Sequence, residues 1–169
     1  THPPAWKKEG NEWHLASVAR LYPISKGQDI LFRVLAQPQW RSREIVVNLY
    51  GDGYHERGMR QLAKTLQLEM VHFHGHVTNI EEIWAENHLL LLPSRYEGMP
   101  IALLEAMWCG RSAVVTDVGG NTEVCIDGVT GFVADAPTVK LFDCALERAW
   151  QRRHEWCAMG EAARNHILR

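Results

Sequence analysis

Two glutamates, Glu97 and Glu105, lie on either side of a turn that leads into a predicted helix. Pro100 suits this turn, because proline is favoured near a helix start, where its missing N–H leaves no hydrogen bond unmade. The start of a helix presents free backbone N–H groups and the positive end of the helix dipole, which together bind phosphate. Eight helical positions are about 80° more than two full turns, so both carboxylates can face the mouth of the turn. Because carboxylates accept hydrogen bonds from hydroxyl groups, the pattern predicts a ligand with a phosphate and several hydroxyls.

Arg20 and Lys26 are candidate diphosphate ligands in the loop that follows the first predicted strand. An arginine binds phosphate oxygens through a bidentate fork, and a lysine acts as a compact point charge. Two such cations near a helix N-terminus would neutralise a diphosphate. The same residues are also compatible with an ordinary solvated loop, so on their own they do not decide the function.

Two glycines, Gly51 and Gly53, lie at the end of the second predicted strand. Glycines at such a position permit positive φ angles and a close approach of the backbone to a ligand, although a plain turn has the same composition. The dinucleotide-binding fingerprint is not matched, because Gly58 follows Gly53 too late and no acidic residue stands about 20 positions further on. This argues against a nicotinamide-dependent oxidoreductase.

Three histidines, His72, His74 and His76, alternate along the third predicted strand and can share one of its faces. That spacing is compatible with a zinc site, but no further Cys/His cluster lies nearby to complete one. Ordinary strand histidines are the simpler interpretation. No D-x-D pair occurs in the chain, so we expect no metal-held diphosphate and no metal or other cofactor.

The composition excludes several classes of function. At 169 residues, of which 46% are hydrophobic, the chain is long enough for one globular domain with its own core. A formal net charge of −2 gives no basis for binding nucleic acid or an anionic membrane surface. No apolar run is long enough for a transmembrane helix. The four cysteines contain no C-x-x-C pair, which favours reduced structural thiols and a cytoplasmic location.

Apolar segments with strand character alternate with helical periodicity along the chain. Strands are predicted at 13–21, with the loop at its end beginning at Ala19, and at 45–49, 71–75, 88–92 and 112–116, and a turn followed by a sixth strand is predicted at 128–134. Helices are predicted at 28–35, 54–68, 79–86, 101–109 and beyond 137. Strands that are apolar throughout and separated by helices indicate a parallel sheet covered on both faces. We therefore predict a doubly wound, mostly parallel six-stranded Rossmann-like α/β fold, which binds ligands outside the carboxyl ends of its strands. Residues 1–12 are predicted to be a linker, and 13–169 the folded domain.

The segment from 93 to 107 resembles the E-x7-E segment of retaining GT-B-fold glycosyltransferases of the group 1 type. Arg20 and Lys26-Gly27 are similar to the R-x5-K-G pattern of that family. Further residues continue the resemblance: Gly51, Gly53, Phe73, Gly75, Val77, Gly110, Asp117, Val118, Gly119, Gly120, Asn121 and Glu123. In total the resemblance covers roughly 13–149.

The resemblance implies the nucleotide-sugar-binding half of a GT-B fold, with the amino-terminal acceptor domain absent from this chain. The family reaction transfers a hexosyl group from a nucleoside diphosphate sugar to an acceptor hydroxyl with retention of configuration, as in polysaccharide or glycoconjugate synthesis. The implied partners are this donor, the amino-terminal domain and an acceptor glycan, lipid or small molecule, with no nucleic acid. The isolated domain would bind donor weakly and turn nothing over. A cytoplasmic location is implied, with membrane contact of the full protein left open.

The resemblance also implies roles for individual residues. Glu97 would contact hydroxyls of the transferred sugar, and Glu105 those of the ribose. Arg20 and Lys26 would grip the diphosphate, and these two with Glu97 are the candidate catalytic residues. The complete predicted donor-binding set is Arg20, Lys26, Gly51, Gly53, His76, Val77, Glu97, Gly98, Met99, Pro100, Ile101 and Glu105, with His76 and Val77 beside the base. The segment from Gly119 to Glu123 is assigned mainly to shaping the pocket.

Other functions remain open at this point. A sugar-nucleotide epimerase or a phosphorylase shares the overall fold, and an epimerase would act on the donor without an acceptor. A nucleotide-binding or interaction module that kept the fold and lost the chemistry is a further alternative. The sequence does not identify the base, the sugar, the acceptor or the oligomeric state.

Overall fold

The computed structural model describes residues 2–8 and 10–169. Within these ranges, six strands form one sheet: β1 (Trp13–Val18), β2 (Ile45–Tyr50), β3 (Val71–Gly75), β4 (Leu89–Leu92), β5 (Ser112–Thr116) and β6 (Gly131–Ala134). Their order is β3-β2-β1-β4-β5-β6, and every pairing is parallel. The predicted doubly wound six-stranded α/β sheet is therefore confirmed.

Helices connect the strands and cover both faces of the sheet. They are α1 (Pro23–Lys26), α2 (Gln28–Leu35), α3 (Pro38–Arg41), α4 (Glu56–Thr65), α5 (Ile80–Glu86), α6 (Ile101–Trp108), α7 (Asn121–Val124), α8 (Val139–Gln151) and α9 (Trp156–Ile167), with a short 3-10 turn at Arg153–Glu155. The predicted cap of α5 is confirmed, because Asn79 Oδ1 accepts a hydrogen bond from the N–H of Glu81 at 3.1 Å. In the described part of the chain, no helix is both long and apolar enough to cross a membrane.

Among the residues that the structure describes, two apolar clusters form the core, one on each face of the sheet. Successive side chains of a strand point to opposite faces, so Leu89 and Leu91 pack into the first cluster, and Leu90 and Leu92 pack into the second. This double burial explains why the strands are apolar throughout. The largest wholly buried side chains are Trp40, Trp156, Phe32, Phe132 and Phe142 in the first cluster and Trp84 in the second.

The first strand ends where the loop is predicted to begin. β1 ends at Val18, one residue before Ala19, although the apolar run continues to Leu21. Beyond this point the chain still runs beside the end of β2, since the N–H of Ala19 donates to the Tyr50 carbonyl at 3.0 Å and that of Leu21 to the Asp52 carbonyl at 2.8 Å. The apolar run to Leu21 therefore continues into a buried loop. This loop places Arg20 and Lys26 beyond the end of the sheet.

One helix is shorter than predicted, because the backbone turns earlier than the apolar pattern indicates. The helix predicted at 54–68 spans only Glu56–Thr65, and Gln67 beyond it has a φ of 54°. The turn and strand predicted at 128–134 are both present, since Gly128 lies in a turn with a φ of 74° and β6 begins at Gly131.

The residues before β1 lie against the domain. Arg111 is buried and donates to the carbonyl of Ala5 at 2.9 Å, and the ring of Trp6 lies over the Arg111 guanidinium. Thr1 and Glu9, which belong to the predicted linker, lie outside the described residues. The interpretation of 1–12 as an interdomain segment stays a prediction.

His88 is a wholly buried histidine immediately before β4, and both of its ring nitrogens are engaged. Nδ1 accepts a hydrogen bond from the backbone N–H of His14 at 3.0 Å, and Nε2 lies 3.2 Å from the carbonyl of Lys7. Burial lowers the pKa of His88 to about 4, although the hydrogen bond to the Lys7 carbonyl acts in the opposite direction. The nearby charges of Lys7 and Arg111 lower the pKa further. The neutral imidazole is therefore part of the folded structure.

Acidification should destabilise the fold through His88. Because its pKa is lower in the folded chain than its ordinary value of 6.5, the unfolded chain binds this proton more readily. The stabilising contribution is complete above pH 6.5 and is lost as the pH falls towards 4, by about 3 kcal/mol. Urea unfolding of the wild type and of His88→Asn across this range measures it. We expect a shallower pH slope in the variant, and identical slopes would contradict the assignment.

Candidate functional site

The site lies where the strand order reverses, at the carboxyl ends of the adjacent strands β1 and β4. The β1–α2 loop and the β4–α6 turn meet there. The N–H groups of Arg95 and Tyr96 donate to the carbonyl of Ser25 at 2.8 and 3.2 Å. Gly27 has a φ of 68°, and a Cβ at this position would lie 1.9 Å from the Pro93 carbonyl oxygen. Only glycine permits this close seating of the two segments.

Lys26 and Glu97 form an ion pair across this junction. Lys26 Nζ is 2.9 Å from Glu97 Oε1, and the Ser94 hydroxyl donates to Glu97 Oε2 at 2.8 Å. The Glu97 side chain is 8% exposed and that of Lys26 is 24% exposed, so the ammonium is the more accessible partner. The two predicted catalytic residues are thus in direct contact, although 71 positions separate them in the sequence.

The N-terminus of α6 opens beside this ion pair. Pro100 is buried and precedes the first helical residue, as the sequence predicts. The N–H of Ile101 donates to the Met99 carbonyl at 2.9 Å and is not available to a ligand. In the described part of the chain, the N–H groups of Gly98 and Met99 make no hydrogen bond, so these two can meet an anion.

A cavity of about 400 Å³ contains this part of the site. Its lining consists of Ser25, Lys26, Arg95, Tyr96, Glu97, Gly98, Val118 and Gly119. The cavity is therefore built by the loops that follow β1, β4 and β5, which lie side by side in the sheet.

Glu105 lies in a second cavity, of about 380 Å³, at the same end of the sheet. The predicted site residues Arg20, Gly51, His76 and Val77 line it as well. Burial raises the pKa of the Glu105 carboxyl above its ordinary value, and among the described residues no cation pairs with it. We expected both glutamates at one mouth, but each lines its own cavity, because Glu105 lies one turn into α6 whereas Glu97 precedes the helix.

The glycines after β2 approach protein backbone rather than open space. A Cβ on Gly51 would lie 2.0 Å from the Ala19 carbonyl oxygen, and one on Gly53 would lie 2.7 Å from that of Leu21. At both positions, glycine therefore allows the β1–α2 loop to pack closely against the end of β2. Gly51 still lines the second cavity, whereas Gly53 faces a separate surface cavity with Tyr54.

The alternating histidines do not gather a metal site. Within the described residues, no group of three or more His, Cys, Asp or Glu side chains has the arrangement to hold a metal ion. His74 instead stacks on Tyr50, with ring centroids 4.7 Å apart, and its Nε2 lies 2.7 Å from Asn48 Oδ1. His76 is the one histidine of the three that lines the Glu105 cavity.

A buried polar network under the Glu105 cavity was missed by the sequence reasoning. Asn48 donates to Asn87 Oδ1 at 2.9 Å, and Asn87 donates to the Tyr50 hydroxyl at 2.9 Å and to the Ile83 carbonyl at 2.8 Å. The network thus ties β2 to α5 and holds Tyr50 against the cavity. Its signal in the sequence was Asn48, a polar residue in an otherwise apolar strand.

The β5–α7 loop packs under the Glu97 turn, and Val118 and Gly119 line the first cavity. Gly119 has a φ of 51°, and a Cβ there would lie 1.6 Å from the Glu97 carbonyl oxygen. The N–H of Gly120 donates to the Gly98 carbonyl at 3.2 Å. The Thr116 hydroxyl donates to the Ser94 carbonyl at 2.6 Å. Glu123 is exposed.

No disulfide bond joins any of the four cysteines, all of which lie in the part of the chain that the structure describes. Cys109 and Cys125 are buried, and burial raises the pKa of their thiols to about 11 and about 12. These thiols are therefore protonated at neutral pH and belong to the core.

Parts of two synthases are similar in sequence to this chain. N-acetyl-α-D-glucosaminyl L-malate synthase of Bacillus anthracis is 37% identical over 122 residues, which are 70% of this chain and 32% of that protein. Glycogen synthase of Pseudomonas syringae pv. syringae is 31% identical over 137 residues, which are 80% of this chain and 28% of that protein. The chain thus spans less than a third of the length of these relatives.

Solved structures share the fold. HepE of Anabaena, in complex with UDP and glucose, superimposes with a TM-score of 0.80 at 25% identity, over 92% of this chain and 43% of that one. A UDP complex of TarM from S. aureus gives a TM-score of 0.87 at 20% identity, over 99% of this chain and 34% of that one. The family model described as glycosyl transferases group 1 matches residues 1–166. On this match and these likenesses, the chain belongs to the group 1 glycosyltransferases and has the Rossmann-like architecture of their GT-B fold.

Proposed function

We propose that this chain is the donor-binding domain of a glycosyltransferase that moves a hexosyl group from a nucleoside diphosphate sugar to an acceptor hydroxyl with retention of configuration. The observation that carries this proposal is the contact of Lys26 with Glu97, at 2.9 Å, beside the open N-terminus of α6. A cation, a carboxylate and free backbone N–H groups at one point suit the junction between a diphosphate and a sugar.

The diphosphate is proposed to lie between the two cavities. Lys26 lines the first cavity and Arg20 the second, so the two cations approach the junction from different sides. Arg20 is exposed and forms no ion pair among the described residues, which leaves its guanidinium available to phosphate oxygens. Departure of the diphosphate develops negative charge, and these fixed cations with the α6 dipole stabilise it as it forms.

The nucleoside is proposed to lie in the Glu105 cavity. The unpaired Glu105 carboxylate is well placed to accept hydrogen bonds from ribose hydroxyls, which replace the water that burial has removed. His76 and Val77 line the same cavity and form the proposed contact with the base.

The sugar is proposed to lie against Glu97 in the other cavity. One Glu97 oxygen is held by the Ser94 hydroxyl, which fixes the carboxylate in position. The second oxygen, shared with Lys26, is the proposed acceptor for a sugar hydroxyl.

A second domain is proposed to close over this face, in the same polypeptide and amino-terminal to this one. Of the nine large apolar side chains that are exposed in the described part of the chain, six lie in the segments that follow the carboxyl ends of β1, β2 and β4: Tyr22, Ile24, Tyr54, Tyr96, Met99 and Ile101. Exposed apolar side chains at one end of a domain are consistent with an interaction surface. The acceptor would bind between the domains, so this chain alone is expected to bind donor without transferring its sugar.

Calorimetric titration of this chain with UDP, GDP, ADP and UMP tests the donor-site proposal. UDP is the first choice, because the HepE structure contains UDP. We expect one nucleoside diphosphate to bind best and UMP to bind more weakly than UDP if uridine is the base, since UMP lacks the second phosphate. A folded chain that binds none of the diphosphates at millimolar concentration would favour the interaction module. Consumption of a nucleotide sugar without an acceptor would favour an epimerase.

A further inference from the structure

Arg95 and Asp29 form a bidentate ion pair that lies outside the predicted set of site residues. Arg95 Nη1 donates to Asp29 Oδ1 at 2.7 Å, and Nη2 donates to Asp29 Oδ2 at 2.9 Å. Nη1 also donates to the carbonyl of Pro23 at 2.8 Å. Burial alone would raise the pKa of Asp29, but the hydrogen bonds from Arg95 hold it below its ordinary value. Both partners are therefore charged at neutral pH.

This ion pair joins the two segments that carry Lys26 and Glu97, the residues proposed to bind the diphosphate and the sugar. Asp29 lies in the first turn of α2, and Arg95 lies in the turn between Ser94 and Glu97. Lys26 is the last residue of α1 and lies between Pro23 and Asp29 in the sequence. Arg95 donates to the Pro23 carbonyl on one side of Lys26 and to the Asp29 carboxylate on the other.

The segment that carries Lys26 needs contacts from another part of the chain to keep it in place. Helix α1 has four residues, and one turn of helix is not stable by itself because its nucleation is unfavourable. No side chain of the described residues makes a capping hydrogen bond at its N-terminus. The contacts from Arg95, together with the Arg95 and Tyr96 N–H groups on the Ser25 carbonyl, fix this turn against the β4–α6 turn.

We propose that Arg95, with Asp29, is a positioning residue that holds the Lys26 ammonium in place for the donor diphosphate. This inference rests on the proposed donor site and extends it to a pair that touches no substrate. The Arg95 guanidinium lines the cavity but is committed to Asp29 and to the Pro23 carbonyl, so its action passes through the position of Lys26.

A matched control pair exists in the same chain. Arg148 and Asp127 also form a bidentate ion pair, at 2.9 and 3.0 Å, and Arg148 also donates to a carbonyl, that of Val133 at 3.0 Å. Neither residue lines either cavity of the site. Arg148→Gln therefore removes a comparable surface contact without reaching Lys26.

The test is UDP affinity by calorimetry, or affinity for whichever diphosphate the wild type binds. We expect Arg95→Gln to weaken binding about five- to tenfold and Arg148→Gln to change it less than twofold. Asp29→Asn should reproduce the effect of Arg95→Gln, and it serves as the second variant should Arg95→Gln fail to fold. Equal losses in the Arg95 and Arg148 variants would overturn the proposal.

A double-mutant cycle with Lys26→Ala separates positioning from direct contact and from general destabilisation. If Arg95 acts through Lys26, Arg95→Gln should cost less than twofold once Lys26 is removed. The same five- to tenfold loss in both backgrounds would mean that Arg95 binds the diphosphate itself, and would overturn the positioning role. A wild-type chain that binds no nucleoside diphosphate would refute the donor site instead, which is a distinguishable result.

Discussion

Lys26→Ala should weaken the binding of a nucleoside diphosphate to this chain by about 10- to 100-fold, because a charge-assisted hydrogen bond is worth about 1.5–3 kcal/mol. Glu97→Gln should do the opposite. The Glu97 carboxylate competes with phosphate for the same ammonium, at 2.9 Å, and it repels the ligand. Removing that charge should strengthen diphosphate binding by about fivefold, from a repulsion on the order of 1 kcal/mol. Glutamine keeps the volume of the side chain and can still accept from Ser94.

Calorimetric titration at low and high salt measures both effects, and Lys140→Ala is the control. Lys140 is an exposed lysine at the start of α8 and lines neither cavity of the site. Its loss should leave the affinity unchanged. Salt screens the interactions of the partly exposed Lys26 ammonium and of the ligand phosphates, so the difference between the Lys26 and Glu97 variants should shrink as ionic strength rises. Equal losses of affinity in the Lys26 and Glu97 variants would show that the ion pair is needed as a unit. That result would contradict a competition between Glu97 and the phosphate for Lys26.

Gly119→Ala should lower the free energy of unfolding by about 2–5 kcal/mol. Gly119 has a φ of 51°, a left-handed conformation that costs alanine about 1–2 kcal/mol. Its Cβ would also lie 1.6 Å from the Glu97 carbonyl oxygen, so the β4–α6 turn must move. Nucleotide affinity should fall as well, because that turn carries Glu97 and Gly98.

Urea unfolding measures this loss against Gly58→Ala. Gly58 lies inside α4, and a Cβ added there meets no atom within 4 Å. Alanine should stabilise this exposed helical position by about 0.5–1 kcal/mol, since glycine loses more backbone entropy on folding. The two glycine-to-alanine changes are thus expected to have opposite signs. Unchanged stability of Gly119→Ala would mean that the loop adapts and that the close approach to Glu97 is not required.

Much of the fold could be predicted from the sequence, because local patterns carry its elements. The helix at Gln28–Leu35 and the strands at Val71–Gly75 and Ser112–Thr116 have the predicted bounds. Each is marked by its own periodicity or by an apolar run of strand length. An apolar run does not by itself mark the end of a strand, because apolar residues continue into a buried loop after β1 up to Leu21 and burial does not require a strand.

The placement of Arg20, Lys26, Glu97 and Glu105 at one end of the sheet also follows from the sequence by itself, since each lies in or just beyond a segment that leaves the carboxyl end of a parallel strand. Only the tertiary structure decided which of them meet. Lys26 reaches Glu97 because β1 is the neighbour of β4, and this neighbourhood has no local signature in either segment. Glu105 faces a different cavity because α6 starts after Glu97 and turns the later side chain away. The Arg95–Asp29 ion pair and the close packing of Gly119 under Glu97 also depend on how closely separate loops approach each other. The spacing of residues in the sequence does not encode that distance.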